Sequence, residues 1–115
     1  MKLQAEAGVG AFHKQLDAAD YKGIWDDADP QFRNAGSKEA YEKFVGAVHR
    51  KLGNVKSTNN SGWQVNNYNL VTRVVLQQHT VFERGAGEET FTFVLKDDQP
   101  KLLGYNIQST ELIVN

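Results

Sequence analysis

The chain has 115 residues, a formal net charge of −1 and no cysteine. The missing cysteines exclude a disulfide framework, a thiolate metal site and a cysteine nucleophile. Its balanced charge, without a basic stripe, argues against nucleic acid as a partner, and no apolar run reaches the ~20 residues of a membrane span. We predict a single domain, residues 1–115, that is long enough to bury its own core.

The first half of the chain has the pattern of amphipathic helices. Apolar residues recur at steps of three and four over residues 5–19, which predicts a helix of about four turns. Asp20 and Asp29-Pro30 are capping signals for short helical segments. Ser37 is the predicted cap of a second long helix, which Gly53 ends. We therefore predict about three N-terminal helices, with a break before Pro30.

From residue 55 onward the pattern changes to that of strands. Residues 70–83 are rich in Val, Thr, Leu and Phe and contain no Gly or Pro, as a strand requires. Such a strand would span about 45 Å at ~3.3 Å per residue, so it must bend or carry a bulge. Residues 55–61 are polar and are predicted as a frayed or edge strand. In residues 89–96 and 103–110, apolar and polar residues alternate, as they do in a strand with one buried face.

Turn-forming residues separate these strands at 66–69, 84–87 and 96–100. Strands that follow helices, without alternating with them, indicate an α+β domain. The predicted fold is a curved four-stranded antiparallel sheet with the helices packed on one of its faces.

Motifs in both halves resemble a small bacterial family of unknown function. In the helical half they are Tyr21-x-x-Ile24-Trp25-Asp26-x-Ala28-x-x-x-Phe32-Arg33, Lys38-Glu39 and Leu52-Gly53-x-Val55. In the second half they are Glu89-x-Phe91-x-Phe93-Val94-Leu95, an acidic turn, and Leu103-Gly104-Tyr105-x-Ile107. The resemblance covers nearly the whole chain.

Members of that family belong to the cone-shaped superfamily of nuclear transport factor two and ketosteroid isomerase. The resemblance implies a curved sheet that wraps the helices, with a pocket between the two layers. It also implies an exported protein whose leader has been removed, although a cytoplasmic location stays open, and a homodimer that pairs through the sheet face. The family has no established catalytic residues, so none is carried over.

Aromatic residues are the candidate walls of that pocket. They are Trp25, Tyr41, Phe44, Trp63, Phe91, Phe93 and Tyr105. The alternative is that these side chains fill a close-packed core. Tyr and Trp favour the pocket because their polar ends need partners when buried.

His79 is the weak candidate for a catalytic residue, as a general base beside a carboxylate. The alternative is a solvent-facing or hydrogen-bonded histidine of the sheet, and a one-residue slip in register would change its face. His13 and His49 lie on separate helices without metal-ligand spacing, so we predict no metal and no cofactor. We assign Asp26, Asp27 and Asp29 to helix capping and dipole roles.

Two functions follow from these patterns. The first is a non-catalytic binding or accessory module that holds a small apolar molecule or pairs through its sheet face. The second is an enzyme like the isomerases and dehydratases of the superfamily, with a pocket His or Asp as base and Tyr41 or Tyr105 as hydrogen-bond donor. A domain of the cell envelope without any ligand is a third reading.

Overall fold

Four helices precede four strands along the chain, and a short fifth helix follows them. The computed structural model describes residues 2–114, with side chains up to residue 112. Its elements are α1 (Lys2–Asp17), α2 (Tyr21–Asp27), α3 (Pro30–Asn34), α4 (Lys38–Leu52), β1 (Val55–Tyr68), β2 (Val71–Phe82), β3 (Gly85–Lys96), β4 (Gln99–Gln108) and α5 (Thr110–Val114).

The helices begin where the capping residues predict. Asp20 accepts a hydrogen bond from the Gly23 N–H at 3.0 Å, and Ser37 accepts one from the Ala40 N–H at 3.1 Å. Asp29 caps α3 in the same way, so the short helical region consists of two helices. The five-residue α5 was not predicted, because so short a helix shows no hydrophobic period.

The strands form one antiparallel sheet in the order β1-β2-β3-β4, and the predicted α+β fold is confirmed. The pairing of β2 with β3 is regular. The irregularities that we expected in the long strand lie instead in the two edge strands, β1 and β4. β1 shifts register between Asn60 and Gly62, and the pairing of β3 with β4 shifts between Thr92 and Phe93. Such shifts bend a strand and increase its twist.

Several strand boundaries differ from the predicted ones; β4, for example, already begins at Gln99. β1 is one continuous strand of 14 residues, although residues 66–68 carry turn-forming asparagines. Its turn to β2 is made by Asn69 and Leu70, which have φ of 50° and 65°. β3 already begins at Gly85, because the ladder continues through the Val81–Ala86 and Phe82–Gly85 pairs.

The core lies between α1 and one face of the sheet. A Cβ added to Gly8 would lie 2.7 Å from the Phe93 ring, so a glycine lets the helix approach the sheet directly. The Phe12 and Phe91 rings meet edge to face at 5.1 Å, a favourable arrangement for aromatic pairs. The inward-facing phenylalanines of β3 therefore point at α1.

Candidate functional site

Side chains from α2, α3, α4 and β4 surround a surface pocket of about 420 Å³. We call it the aromatic pocket. Its walls are Trp25, Phe32, Tyr41, Phe44 and Tyr105, completed by Gln31, Ala35, Gly36, Ser37, Ala40, Leu103 and Gly104.

The rings of the aromatic pocket contact one another in a continuous series. Tyr41 is central: its ring lies 4.7 Å from that of Phe32 and 5.9 Å from that of Trp25. Phe44 continues the series to Tyr105, with 6.0 Å between their ring centroids. Because Phe44 is 38% exposed, it stands at the solvent side of the pocket.

The Tyr41 hydroxyl is buried and has no hydrogen-bond partner among the described residues. Burial raises the pKa of Tyr41 well above its ordinary value, so the hydroxyl keeps its proton and remains a donor. Leaving a buried polar group without a partner costs about 1–3 kcal/mol. The pocket therefore contains an unused hydrogen-bonding group.

A buried polar cluster lies behind the aromatic pocket and centres on Glu89, which is 1% exposed. Thr80 Oγ1 donates to Glu89 Oε1 at 2.6 Å, and His13 Nε2 lies 2.7 Å from the same oxygen. The Tyr105 hydroxyl donates to Oε2 at 2.6 Å. An ionised carboxylate accepts all three hydrogen bonds when the imidazole proton is on Nε2.

The cluster extends across two strands to the edge of the sheet. Thr80 gives its proton to Glu89, so at 2.8 Å it accepts from Thr58. Thr58 accepts from Gln78 Nε2 at 3.0 Å, and Gln78 Oε1 accepts from Asn60 Nδ2 at 2.9 Å. Each side chain thus donates to the next one toward Glu89, and such chains reinforce their hydrogen bonds by polarisation.

Tyr105 joins the cluster to the aromatic pocket. Its ring lines the pocket, and its hydroxyl is bound to Glu89. Burial, the negative charge of Glu89 and their hydrogen bond all raise the pKa of Tyr105 well above its ordinary value. The Tyr105 proton is therefore held in the cluster.

The structure divides the seven predicted pocket residues into three groups, of four, two and one. Four of them, Trp25, Tyr41, Phe44 and Tyr105, lie together in the aromatic pocket. Phe91 and Phe93 are buried in the core with their rings stacked at 5.9 Å. Phe93 also borders a separate groove of about 430 Å³ between α1 and the start of β4.

Trp63 lies outside the aromatic pocket, contrary to the prediction. It is 55% exposed, on the edge strand β1, and the Lys2 ammonium lies 5.6 Å from its ring. The physical reason is its position on the edge strand, where the Lys2 side chain contacts its ring but leaves more than half of the residue open to solvent.

His79 lies on the outer face of the sheet, turned away from α1. Its side chain is 48% exposed, and Nδ1 lies 2.5 Å from Glu88 Oε1. The catalytic candidate therefore lies on the opposite face of the sheet from the aromatic pocket. His49 instead joins Tyr21 and Asn54 through two hydrogen bonds of 2.7 Å.

Sequence reasoning gave Glu89 no role in a site and considered His13 only as a metal ligand, although His13 is only 6% exposed. One signal was available for Glu89. It has the same alternation as Phe91 and Phe93, so it had to share their inward face. An acidic residue in an inward position indicates a buried and partnered carboxylate.

Within residues 2–114, no group of three His, Cys, Asp or Glu residues is placed to bind a metal ion. No helix of that part of the chain has the length and apolar character to cross a bilayer.

The fold resembles those of proteins with solved structures. Eighteen chains of solved structures match significantly. One is the crystal structure of a proposed scytalone dehydratase from Novosphingobium aromaticivorans, with a TM-score of 0.54 and 16% identity over 95% of this chain and 83% of that one. At this identity the likeness establishes the fold alone, and it confirms the predicted arrangement of helices on a curved antiparallel sheet.

Sequence comparison is more specific. No curated protein sequence is significantly similar to the chain. The profile of a family described as proteins of unknown function, DUF4019, matches residues 10–105. Since that match spans most of the 115 residues, the chain belongs to the DUF4019 family.

Proposed function

We propose that this protein is a binding module that holds a small, largely apolar molecule in the aromatic pocket. The observation that carries the proposal is the hydroxyl of Tyr41, a residue of the pocket wall: it is buried and no described residue is hydrogen-bonded to it. A ligand that brings a hydrogen-bond acceptor to this hydroxyl removes the cost of leaving it unpaired.

The size and polarity of the pocket define the ligand class. Its volume of about 420 Å³ lies in the range of small-molecule sites. Its described lining includes no Asp, Glu, His, Lys or Arg. A charged ligand would therefore lose its hydration without gaining an opposite charge, and a neutral molecule with an apolar ring and one acceptor fits best.

The test compares two neutral probes that differ only in an acceptor, 4-phenylbutan-2-one and n-butylbenzene. One hydrogen bond contributes about 0.5–1.5 kcal/mol, so the ketone should bind roughly 2–12 times more tightly. The Tyr41→Phe variant should lose this preference and bind n-butylbenzene more tightly, because the ketone oxygen is then buried without a donor. NMR titration gives the two dissociation constants and should show shifts at Gly104 and Leu103. Equal affinity for the two probes in the unmodified protein would contradict the proposal.

A pair of glycine variants controls for binding elsewhere. A Cβ atom added at Gly36 or at Gly10 would have no neighbouring atom within 4 Å. Of these two glycines, only Gly36 lines the aromatic pocket. Gly36→Leu should fill the pocket and weaken both probes at least several-fold, whereas Gly10→Leu on α1 should leave them unchanged. If both variants bind the probes alike, the probes occupy another site.

The His13–Glu89 pair favours a second candidate, an enzyme of the isomerase or dehydratase type. An imidazole 2.7 Å from a carboxylate is an arrangement used for general base catalysis. Neither residue lines the aromatic pocket, however, and Tyr105 stands between them and a bound molecule. Because of this separation, the geometry supports the enzymatic function less well than the binding function.

Proton exchange separates the two candidates. In D2O, an enzymatic base would exchange the α protons of 4-phenylbutan-2-one faster than the buffer does, and Glu89→Gln would abolish the excess rate. NMR of the ketone measures both rates. Exchange at the buffer rate in the presence of the unmodified protein eliminates the catalytic candidate for this substrate class.

A further inference from the structure

Tyr105 belongs both to the wall of the aromatic pocket and to the cluster around Glu89. Its ring lines the pocket, while its hydroxyl donates to Glu89 Oε2 at 2.6 Å. A tyrosine hydroxyl has one proton. That proton is committed to the carboxylate and is not offered to a molecule in the pocket.

We propose that Glu89 is a specificity-determining residue of the aromatic pocket. It withholds the Tyr105 proton and so leaves Tyr41 as the buried hydroxyl that donates to a ligand. This inference rests on the proposed binding function and adds a preference to it, namely for molecules with one acceptor placed against Tyr41. Tyr105 contributes ring surface and can only accept a further hydrogen bond.

The other oxygen of Glu89 determines what an amide at this position would do. Oε1 faces two groups, Thr80 Oγ1 at 2.6 Å and His13 Nε2 at 2.7 Å. In Glu89→Gln, the carbonyl oxygen therefore stays toward these donors, and the NH2 group turns toward Tyr105. Tyr105 must then accept from the amide, and its own proton becomes free.

This reversal predicts that Glu89→Gln suppresses the effect of Tyr41→Phe on ligand preference. We measure the ratio of the dissociation constants of n-butylbenzene and 4-phenylbutan-2-one by NMR titration. The ratio should be roughly 2–12 in the unmodified protein, in keeping with one hydrogen bond, and should fall below 1 in Tyr41→Phe, where the ketone oxygen has no donor. In Glu89→Gln/Tyr41→Phe it should return to roughly 2–12, because the freed Tyr105 hydroxyl now donates. Adding Tyr105→Phe should abolish it again.

The control is Thr80→Val/Tyr41→Phe, which removes one donor from Glu89 but leaves the Tyr105 proton on the carboxylate. Its ratio should stay below 1, as in Tyr41→Phe alone, which would show that loosening the cluster does not by itself restore the preference. If Tyr41→Phe loses the preference and Glu89→Gln does not restore it, the role of Glu89 is overturned and the binding function stands. A ratio of 1 in the unmodified protein overturns the binding function itself.

A measurement on the unmodified protein covers the case in which Glu89→Gln does not fold. NMR with tyrosine labelled at Cζ identifies each hydroxyl. The Tyr105 hydroxyl proton should exchange slowly and resonate downfield, as a short hydrogen bond to a buried carboxylate requires. The hydroxyl of Tyr68, which is 77% exposed, supplies the fast reference, and equally fast exchange at Tyr105 would overturn the inference.

Discussion

At the scale of single residues, two carboxylates are buried and have different structural roles. Glu89 accepts three hydrogen bonds within the core. Asp29 is 1% exposed and joins elements: Oδ2 caps α3 at the Gln31 N–H, at 2.9 Å, and Oδ1 lies 2.5 Å from Lys96 Nζ. Its own N–H donates to the Leu102 carbonyl of β4 at 2.9 Å. Asp29 thus fastens the short helices to the sheet.

This geometry predicts a pH dependence of stability. Burial by itself raises the pKa of Asp29, but the hydrogen bonds from Lys96 and Gln31 and the charges of Lys96 and Arg33 outweigh it, so the pKa is lowered. A lowered pKa means that the stabilisation is complete above the unfolded value of about 4 and is lost as the pH falls through the folded value.

The test is Asp29→Ala, which should lower the free energy of unfolding at pH 7 by about 1–2 kcal/mol, the cost of a lost helix cap. The difference from the unmodified protein should shrink as the pH falls below 4, in urea denaturation at each pH. Asp26→Ala is the matched control, since its ion pairs with Lys22 and Lys38 are exposed and such pairs stabilise little. Equal losses for the two variants would contradict this role of Asp29.

At the scale of secondary-structure elements, local signals determined the helices well and the strands less well. Asp20, Asp29 and Ser37 cap their helices where expected because a cap depends on its own neighbours in the chain. The predicted end of β1 came before the observed one, since the length of this strand is set by its pairing with β2 across 12 register positions. A ladder depends on its partner strand, which the pattern of one strand does not reveal.

The same distinction applies to the candidate site. Trp25, Tyr41, Phe44 and Tyr105 were expected in a pocket from their residue types, and the structure brings them together. Trp63 has the same chemistry but lies on an edge strand, 55% exposed. Burial of an aromatic side chain depends on which element covers it, and this is a tertiary property.

At the scale of the whole molecule, two expectations from the family resemblance remain predictions. One is export with removal of a leader, which fractionation of cells that express the complete gene would test. The other is a homodimer that pairs through the outer face of the sheet, where His79 and Glu88 lie. Light scattering should give twice the monomer mass. Gln77→Glu should reduce the measured mass, because it adds a negative charge near Glu88 to the face that the two copies would share. A monomer at all concentrations would contradict the pairing.

The sequence by itself determined the α+β class, the order of helices and strands and the helix caps, because each depends on periodicity or on neighbours along the chain, and its motifs indicated the family by resemblance. The tertiary structure decided that His13, Thr80 and Tyr105 converge on Glu89 from α1, β2 and β4. It also decided that the Tyr41 hydroxyl has no hydrogen-bond partner among the described residues. The physical reason is that hydrogen-bond satisfaction in a core is set by groups far apart in sequence, whose distances are fixed only by packing.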